Sequence, residues 1–477
     1  MNIGIELNKN DFMYDIHSLV KSFFPDDGVT IYTDDDEKAA VVRDILFKIE
    51  IPAYGDRAKT KNELKLALYE TLCDYTGRTL PWGTLSGIRP TKIPMKLLGE
   101  GKSRREIHDY MKETYRTSDS RIALATEVAE KERACLAPIP LGDSTWSLYV
   151  HIPFCPTICL YCTFASSPYD AFKKQIPDYL DAVIAEMKDA STMLAEKGMN
   201  PGPTTIYLGG GTPTALSADE LDRLLAAIES TFSMDHVLEK TVEAGRPDSL
   251  TPEKMQVLVN HGVTRISINP QTMNQKTLDL IGRRHTVEDV EKAFSMARQM
   301  GFANINTDMI LGLPGEEEAD VRHTLDAICA MKPDSLTVHS LAVKRASRLR
   351  KTILEDRLKD AGADYGNYGG LVFENDEHLM NLASEAASDL GMEPYYLYRQ
   401  KNMRGNLENT GFAVPGRECL YNILIMEEMQ SILAFGAGAS TKRVLSDGRI
   451  DRVVAPKNLP TYLAKVPTLC QKKRELF

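Results

Sequence analysis

The 477-residue chain is 43% hydrophobic and 26% charged, enough for about two to three domains with ordinary globular cores. Its formal net charge of −10 argues against a general nucleic-acid binder. No apolar run approaches the roughly 18–20 residues of a membrane span, and the N-terminus lacks the blocks of a secretory signal, so a cytoplasmic protein is expected.

Residues 1–140 are expected to form an N-terminal α/β accessory domain. Val29–Thr33 follows Pro25-Asp-Asp-Gly28 and alternates as a strand does. Helical stretches follow at about 37–51, 61–75 and 101–135. Between the last two lies Trp82-Gly-Thr-Leu-Ser-Gly-Ile-Arg-Pro-Thr91, punctuated by glycine and proline. Lys102, Arg104 and Arg105 read as a solvated helical face, and nothing in this region forms a cofactor pattern.

From about 145 short apolar strands alternate with helices. The strands are Ser147–His151, Thr205–Leu208, Lys240–Glu243, Arg265–Ile268, Asn304–Ile310 and Asp334–His339. Helical patterns lie between them, at about 176–196, 217–231, 251–261, 274–282, 287–300 and then 317–331. Such β/α repetition predicts parallel strands covered by helices. A doubly wound sheet would satisfy it, but glycines and charged residues gather after nearly every strand. That placement favours a barrel-like sheet with ligands at the C-terminal rim. The expected fold is therefore α/β, an incomplete (β/α)6 barrel over 141–345 with a wide mouth. Residues 346–477 are expected to be an α+β substrate-cleft domain packed against or across that mouth.

Three of the eight cysteines stand at Cys155, Cys159 and Cys162, just after the first barrel strand. The other five, Cys73, Cys135, Cys329, Cys419 and Cys470, are scattered singly. Three thiolates on one short loop can hold three irons of a [4Fe–4S] cluster and leave the fourth without a protein ligand, which suggests chemistry at the metal rather than electron transfer alone. Gly209, Gly210 and Gly211 follow the second strand, where a ligand can approach the backbone closely. The triplet lacks the Gly-Lys-Ser/Thr ending of a P-loop and the Gly-x-Gly-x-x-Gly of a dinucleotide site; a plain turn is its other reading. Lys344, Arg345, Arg348 and Arg350 follow the last strand and suit an anionic ligand.

Beyond these spacings, the sequence resembles the radical S-adenosylmethionine enzymes, and within them the oxygen-independent coproporphyrinogen III oxidase family. The resemblance is carried by Tyr149-Val-His-Ile-Pro-Phe-Cys155, Leu160-Tyr-Cys162-Thr-Phe164, Gly209-Gly-Gly-Thr-Pro213, Glu243, Gly262-Val-Thr-Arg265-Ile-Ser267, Gln271 and Arg283. It continues through Asp308-Met-Ile-Leu-Gly-Leu-Pro-Gly315 and Gly436-Ala-Gly-Ala-Ser440. A long variant of the family, the coproporphyrinogen dehydrogenases, is similar along the whole chain, including Gly87-Ile-Arg-Pro-Thr91 and Gln400-Lys-Asn-Met403.

The resemblance implies that Cys155, Cys159 and Cys162 bind the cluster, with S-adenosylmethionine chelating the open iron. Tyr149 would pack at cluster and cofactor, and Gly210, Gly211 and Thr212 would receive the methionyl amino group. Glu243, Gln271, Arg283 and Asp308 would complete the cofactor site, Arg283 suiting a carboxylate and Asp308 ribose hydroxyls. Satisfying backbone groups is the other reading of Glu243 and Asp308, and a solvated surface role that of Arg283. His151 and His285 are expected to pack or support. No catalytic side chain is assigned apart from the cluster.

The implied reaction begins with an electron from reduced flavodoxin or ferredoxin. A 5′-deoxyadenosyl radical then removes hydrogen from a propionate of coproporphyrinogen III; loss of carbon dioxide and one further electron leaves a vinyl group. Two rounds give protoporphyrinogen IX. Lys344, Arg345, Arg348 and Arg399 are the expected contacts to substrate carboxylates. Two residues depart from the neighbouring patterns. Phe164 stands where well-characterised oxidases have a further cysteine, a form closer to the haem-chaperone relatives; Tyr421 stands where those chaperones have histidine. Haem binding, or another radical reaction on a tetrapyrrole such as anaerobic haem breakdown, is therefore the alternative.

Overall fold

The computed structural model describes residues 2–25, 27–33, 44–87, 89–342, 347–349, 375–400 and 406–477. The N-terminal region holds a three-stranded parallel sheet, with β1 (Asn2–Leu7) between β2 (Gly28–Thr33) and β3 (Ile45–Ile49). The last of these corrects the helix expected over 37–51, of which 37–43 lie outside the described residues. Ile45-Leu-Phe-Lys-Ile49 is dominated by β-branched and aromatic side chains, which pack better on a pleated surface, and it pairs in register with β1. The helix expected at 61–75 spans Arg57–Thr76, capped by the Asp56 carboxylate on the Ala58 and Lys59 N–H groups. The stretch expected at 101–135 is two helices, Arg104–Tyr115 and Asp119–Leu136. Arg116, at φ 58°, ends the first in a left-handed turn.

The rest of the strands, save one short pair, form a single eleven-stranded sheet. Six parallel strands follow in spatial order as they do in sequence: β4 (Trp146–Ile152), β7 (Thr205–Gly210), β8 (Glu239–Glu243), β9 (Arg265–Ser267), β10 (Ile305–Leu311) and β11 (Ser335–Ser340). The short pair, β5 (Phe154–Cys155) and β6 (Ser167–Pro168), lies in the first connection. Helices occupy all five crossovers among the six, the longest being Ile176–Glu196. Its buried Tyr179, Leu180, Val183 and Met187 recur at helical spacing. They join Leu148, Val150, Ile206, Leu208, Val242 and Ile266 in the largest hydrophobic core.

Strands beyond residue 345 extend this sheet at both sides. β12 (Glu393–Tyr398) and β13 (Asn409–Ala413) add antiparallel to β11. β14 (Ser431–Phe435) lies parallel to β4 on the opposite side, followed by β15 (Ser440–Val444) and β16 (Ile450–Val454). The chain after the crossover units thus builds sheet. Because the six sequential strands run parallel, the segments that follow them emerge along one rim.

Candidate active site

The cysteine loop leaves β4 at that rim and is pinned at several points. β5 pairs with β6, closing the loop's ends. Leu160 N–H bonds the Ile281 carbonyl at 2.9 Å, and the Thr157 hydroxyl donates to Gly282 O at 3.0 Å. Arg246, beyond β8, donates to Thr157 O at 3.1 Å and to Cys159 Sγ at 3.8 Å while paired with Asp248. Thr212 Oγ1 donates to Cys155 Sγ at 3.4 Å. Burial pushes the Cys155 thiol up to about 11 and raises that of Cys162, so both favour the protonated form until a metal replaces the proton.

Among the described residues no three acidic, histidine or cysteine side chains converge as ligands of one ion. A cluster asks for something different, one thiolate per iron, so its ligands stand farther apart than those of a single metal. Three further features fit the binding of a polar group. Cys155, Cys159 and Cys162 are free thiols around one cavity of about 430 Å³. Gly210 is at φ 106°, and a Cβ there would stand 2.6 Å from the His151 ring. The Gln271 side-chain oxygen is buried without a hydrogen-bond partner.

All eight residues expected at the cofactor line the same cavity: Tyr149, Gly210, Gly211, Thr212, Glu243, Gln271, Arg283 and Asp308. Tyr207 Oη donates to Glu243 Oε1 at 2.7 Å, and burial raises the Glu243 carboxyl to about 7. Asn269 and Asn306 donate to the two oxygens of Asp308 at 2.8 and 2.6 Å. Gln271 adopts φ 70° and bridges to the β10 backbone. Arg283 is buried, its Nη2 donating to Gly245 O at 2.7 Å and Asn269 O at 2.6 Å; its Nε has no hydrogen-bond partner. His151 is buried and bridges Tyr149 Oη at 3.2 Å and Ala165 O at 3.0 Å. His285 is buried, and burial, reinforced by Arg283, lowers its imidazole to about 3.

Two of the four expected carboxylate contacts, Arg348 and Arg399, fall among the described residues. Lys344 and Arg345 lie outside the described residues, as do Arg350, Ile88 of the Gly87–Thr91 segment and Lys401, Asn402 and Met403. Arg348 is exposed and donates to Ile158 O at 3.4 Å, within the cysteine loop. Arg399 is buried away from the cavity lining. Its guanidinium donates to Leu85 O at 2.7 Å, to Asn406 O at 3.1 Å and to the Asn406 side chain, leaving little to offer a ligand.

Several lining residues escaped the sequence reading. Arg246 stands only three positions past Glu243, and His339 ends a strand whose bounds were predicted; both positions were the available signal. Tyr396 and Tyr398 face one another with ring centroids 6.2 Å apart at 13°. Phe164 sits on the rim, 73% exposed. Tyr421 is buried beside the cavity, stacked on Tyr207 at 4.5 Å and Tyr149 at 6.1 Å.

The three thiols line a cavity at the rim of sequential parallel strands, and residues 149–328 match the Radical SAM superfamily, which gives the class. The chain is 40% identical over 406 residues, 85% of its length and 78% of the relative's, to the oxygen-independent coproporphyrinogen-III oxidase-like protein HemZ of Bacillus subtilis. It is 31% identical to the heme chaperone HemW of the same organism, over 61% of this chain and 70% of that one. Among solved structures, coproporphyrinogen III oxidase (HemN) from Escherichia coli shares the fold, with TM-score 0.53 and 22% identity over 71% of this chain and 72% of that chain. The chain belongs to the oxygen-independent coproporphyrinogen III oxidase-like family and is an enzyme of that family. Membership implies S-adenosylmethionine and an iron–sulfur cluster as cofactors in general. Among the described residues no helix is long and apolar enough to cross a membrane.

Proposed function

We propose that the protein is a radical S-adenosylmethionine enzyme that decarboxylates coproporphyrinogen III propionates oxidatively, giving protoporphyrinogen IX. The observation that carries this reading is the shared cavity, lined by the three cysteines together with all eight candidate cofactor contacts. Cys155, Cys159 and Cys162 hold three irons of a [4Fe–4S] cluster. Gly210, Gly211 and Thr212 receive the methionyl amino group, and Arg283 offers Nε to the carboxylate. Asp308, whose oxygens accept from Asn269 and Asn306, turns its remaining acceptor capacity to ribose hydroxyls and to His339. Glu243 and Gln271 complete the polar wall, and Tyr149 packs against the bound group. When bound, cluster and cofactor supply the one-electron cleavage that initiates hydrogen abstraction. The sheet acts as an incomplete (β/α)6 barrel over 141–345, between an accessory region at 1–140 and a cleft-forming region at 346–477. Reduced flavodoxin or ferredoxin supplies electrons, in the cytoplasm.

The test is anaerobic incubation of iron- and sulfide-reconstituted protein with coproporphyrinogen III, S-adenosylmethionine and a reductant. Carbon dioxide and 5′-deoxyadenosine are expected together with a vinyl-bearing product. Cofactor cleavage without carbon dioxide would sink the decarboxylase reading. Stoichiometric haem binding without turnover would establish the chaperone reading instead.

A further inference from the structure

The basic side chains lining the cavity are unequally committed. Arg246 spends its donors on Thr157, Cys159 and Asp248. Arg283 gives Nη2 to two backbone carbonyls. Arg265 is buried, with Nη2 on Ser335 Oγ at 3.0 Å. His339 is different: its side chain is 25% exposed at the C-terminal end of β11. Its Nε2 stands 3.6 Å from Asp308 Oδ2, and its Nδ1 3.5 Å from Tyr398 Oη. Both separations are at or beyond the outer edge of hydrogen bonding, so the ring is oriented without being saturated.

Asp308 is the group that orients the ring. Burial alone would raise its carboxyl, but His339, then Asn306 and Thr337, outweigh that and hold it below the ordinary range. The Asp308 carboxylate beside Nε2 orients the ring and leaves Nδ1 turned toward Tyr398; a ring that bridges Asp308 and a second carboxylate carries hydrogen on both nitrogens. A carboxylate entering this cavity meets Asp308 and Glu243 and must find a counter-charge, since an unpaired buried anion is costly. Tyr398, against Nδ1, is stacked with Tyr396, and such a pair offers apolar ring surface to a flat ligand.

We propose that His339, oriented by Asp308, is a specificity-determining residue that donates from Nδ1 to a propionate carboxylate of a tetrapyrrole laid against Tyr396 and Tyr398. The inference rests on the tetrapyrrole reading and adds the group that recognises the acid. It also accounts for a site in which Arg399 is occupied elsewhere.

The experiment is fluorescence titration of cluster-reconstituted full-length protein with coproporphyrin III, the oxidised and unreactive form, and with its tetramethyl ester. His339→Phe should weaken binding of the free acid about tenfold, the worth of one charge-assisted hydrogen bond, and leave the ester unchanged. His339→Lys, which places a donor and a cation at this position, should recover part of the loss. Unchanged acid binding in His339→Phe would overturn the assignment. So would an equal loss for acid and ester, which signals a damaged cleft instead of a lost grip. If the wild type binds neither compound, the tetrapyrrole reading itself fails, and the two failures are told apart by that control.

Discussion

Gly211 shows how tightly single residues are specified around the thiols. A Cβ at this position would stand 2.7 Å from Phe154 O, 2.8 Å from Ile152 O and 3.0 Å from Cys155 Sγ. The backbone has little freedom to retreat, because Gly211 N–H bonds Ile152 O at 2.8 Å and Thr212 N–H bonds Phe154 O at 2.7 Å. Gly211→Ala should therefore cost about 1–3 kcal/mol by overpacking and displace Cys155. The expected outcome is a lowered denaturation midpoint together with reduced iron per chain after reconstitution. Gly142→Ala, with no heavy atom within 4 Å of the added carbon, is the matched control; equal iron content in the two variants would show that the cradle does not shape the thiol site. At this scale the sequence was legible where chemistry is local. Cysteine spacing and the glycine run needed no fold to be noticed. For Arg399 charge alone says nothing about direction, and its donors turn toward the carbonyls of Leu85 and Asn406.

The elements divide along a related line. Every crossover strand was readable because an apolar run between helical patterns has few other solutions in a globular chain. β3 was missed because a five-residue run next to a charged stretch is ambiguous until β1 supplies its partner. β14 was harder still: Ser431-Ile-Leu-Ala-Phe435 pairs with β4, far away in sequence, and no local pattern reports such a neighbour. The C-terminal helix, Leu459–Leu476, secures that side of the sheet through one buried carboxylate. Glu186 accepts from Lys473 Nζ at 3.0 Å, Tyr462 Oη at 2.9 Å and Gly436 N at 3.2 Å. Both members of the ion pair are buried. Lys473→Met should destabilise by about 3–5 kcal/mol, since the carboxylate would remain without its cation. Adding Glu186→Leu should restore much of that loss by removing the stranded charge. Urea denaturation of the two variants measures both steps; a single variant as stable as the wild type would mean that the pair does not hold the helix.

Across the whole molecule, the N-terminal region is fastened to the strands and helix that follow residue 400. Trp82 Nε1 donates to Glu408 at 2.7 Å, Arg121 pairs with the same carboxylate at 2.9 Å, and Arg89 engages Glu427 and, at 3.3 Å, Glu428. The helix Leu420–Glu427 also carries Tyr421, whose ring stacks on two tyrosines of the cavity wall. The fastening thus abuts the site, and it contains a titratable weak point. Glu132, fully buried on the helix Asp119–Leu136, has its carboxyl pushed from 4.5 up to about 10 by burial and then by the charge of Glu427. The folded protein therefore keeps a proton that the unfolded chain releases near 4.5. Below that pH both states hold it and no penalty arises. Between there and about 10 the folded state binds more protons, so stability falls as pH rises, by at most about 1.4 kcal/mol per pH unit from this group. Glu132→Gln replaces the acid by a neutral amide and removes the slope. Thermal unfolding of the anaerobic, cluster-loaded chain at about pH 5, 7 and 9 tests this. The variant's advantage over the wild type should be small at the lowest pH and widen at each step upward. A constant difference across the three would mean that Glu132 folds as a carboxylate, and that Arg89 neutralises it together with Glu427.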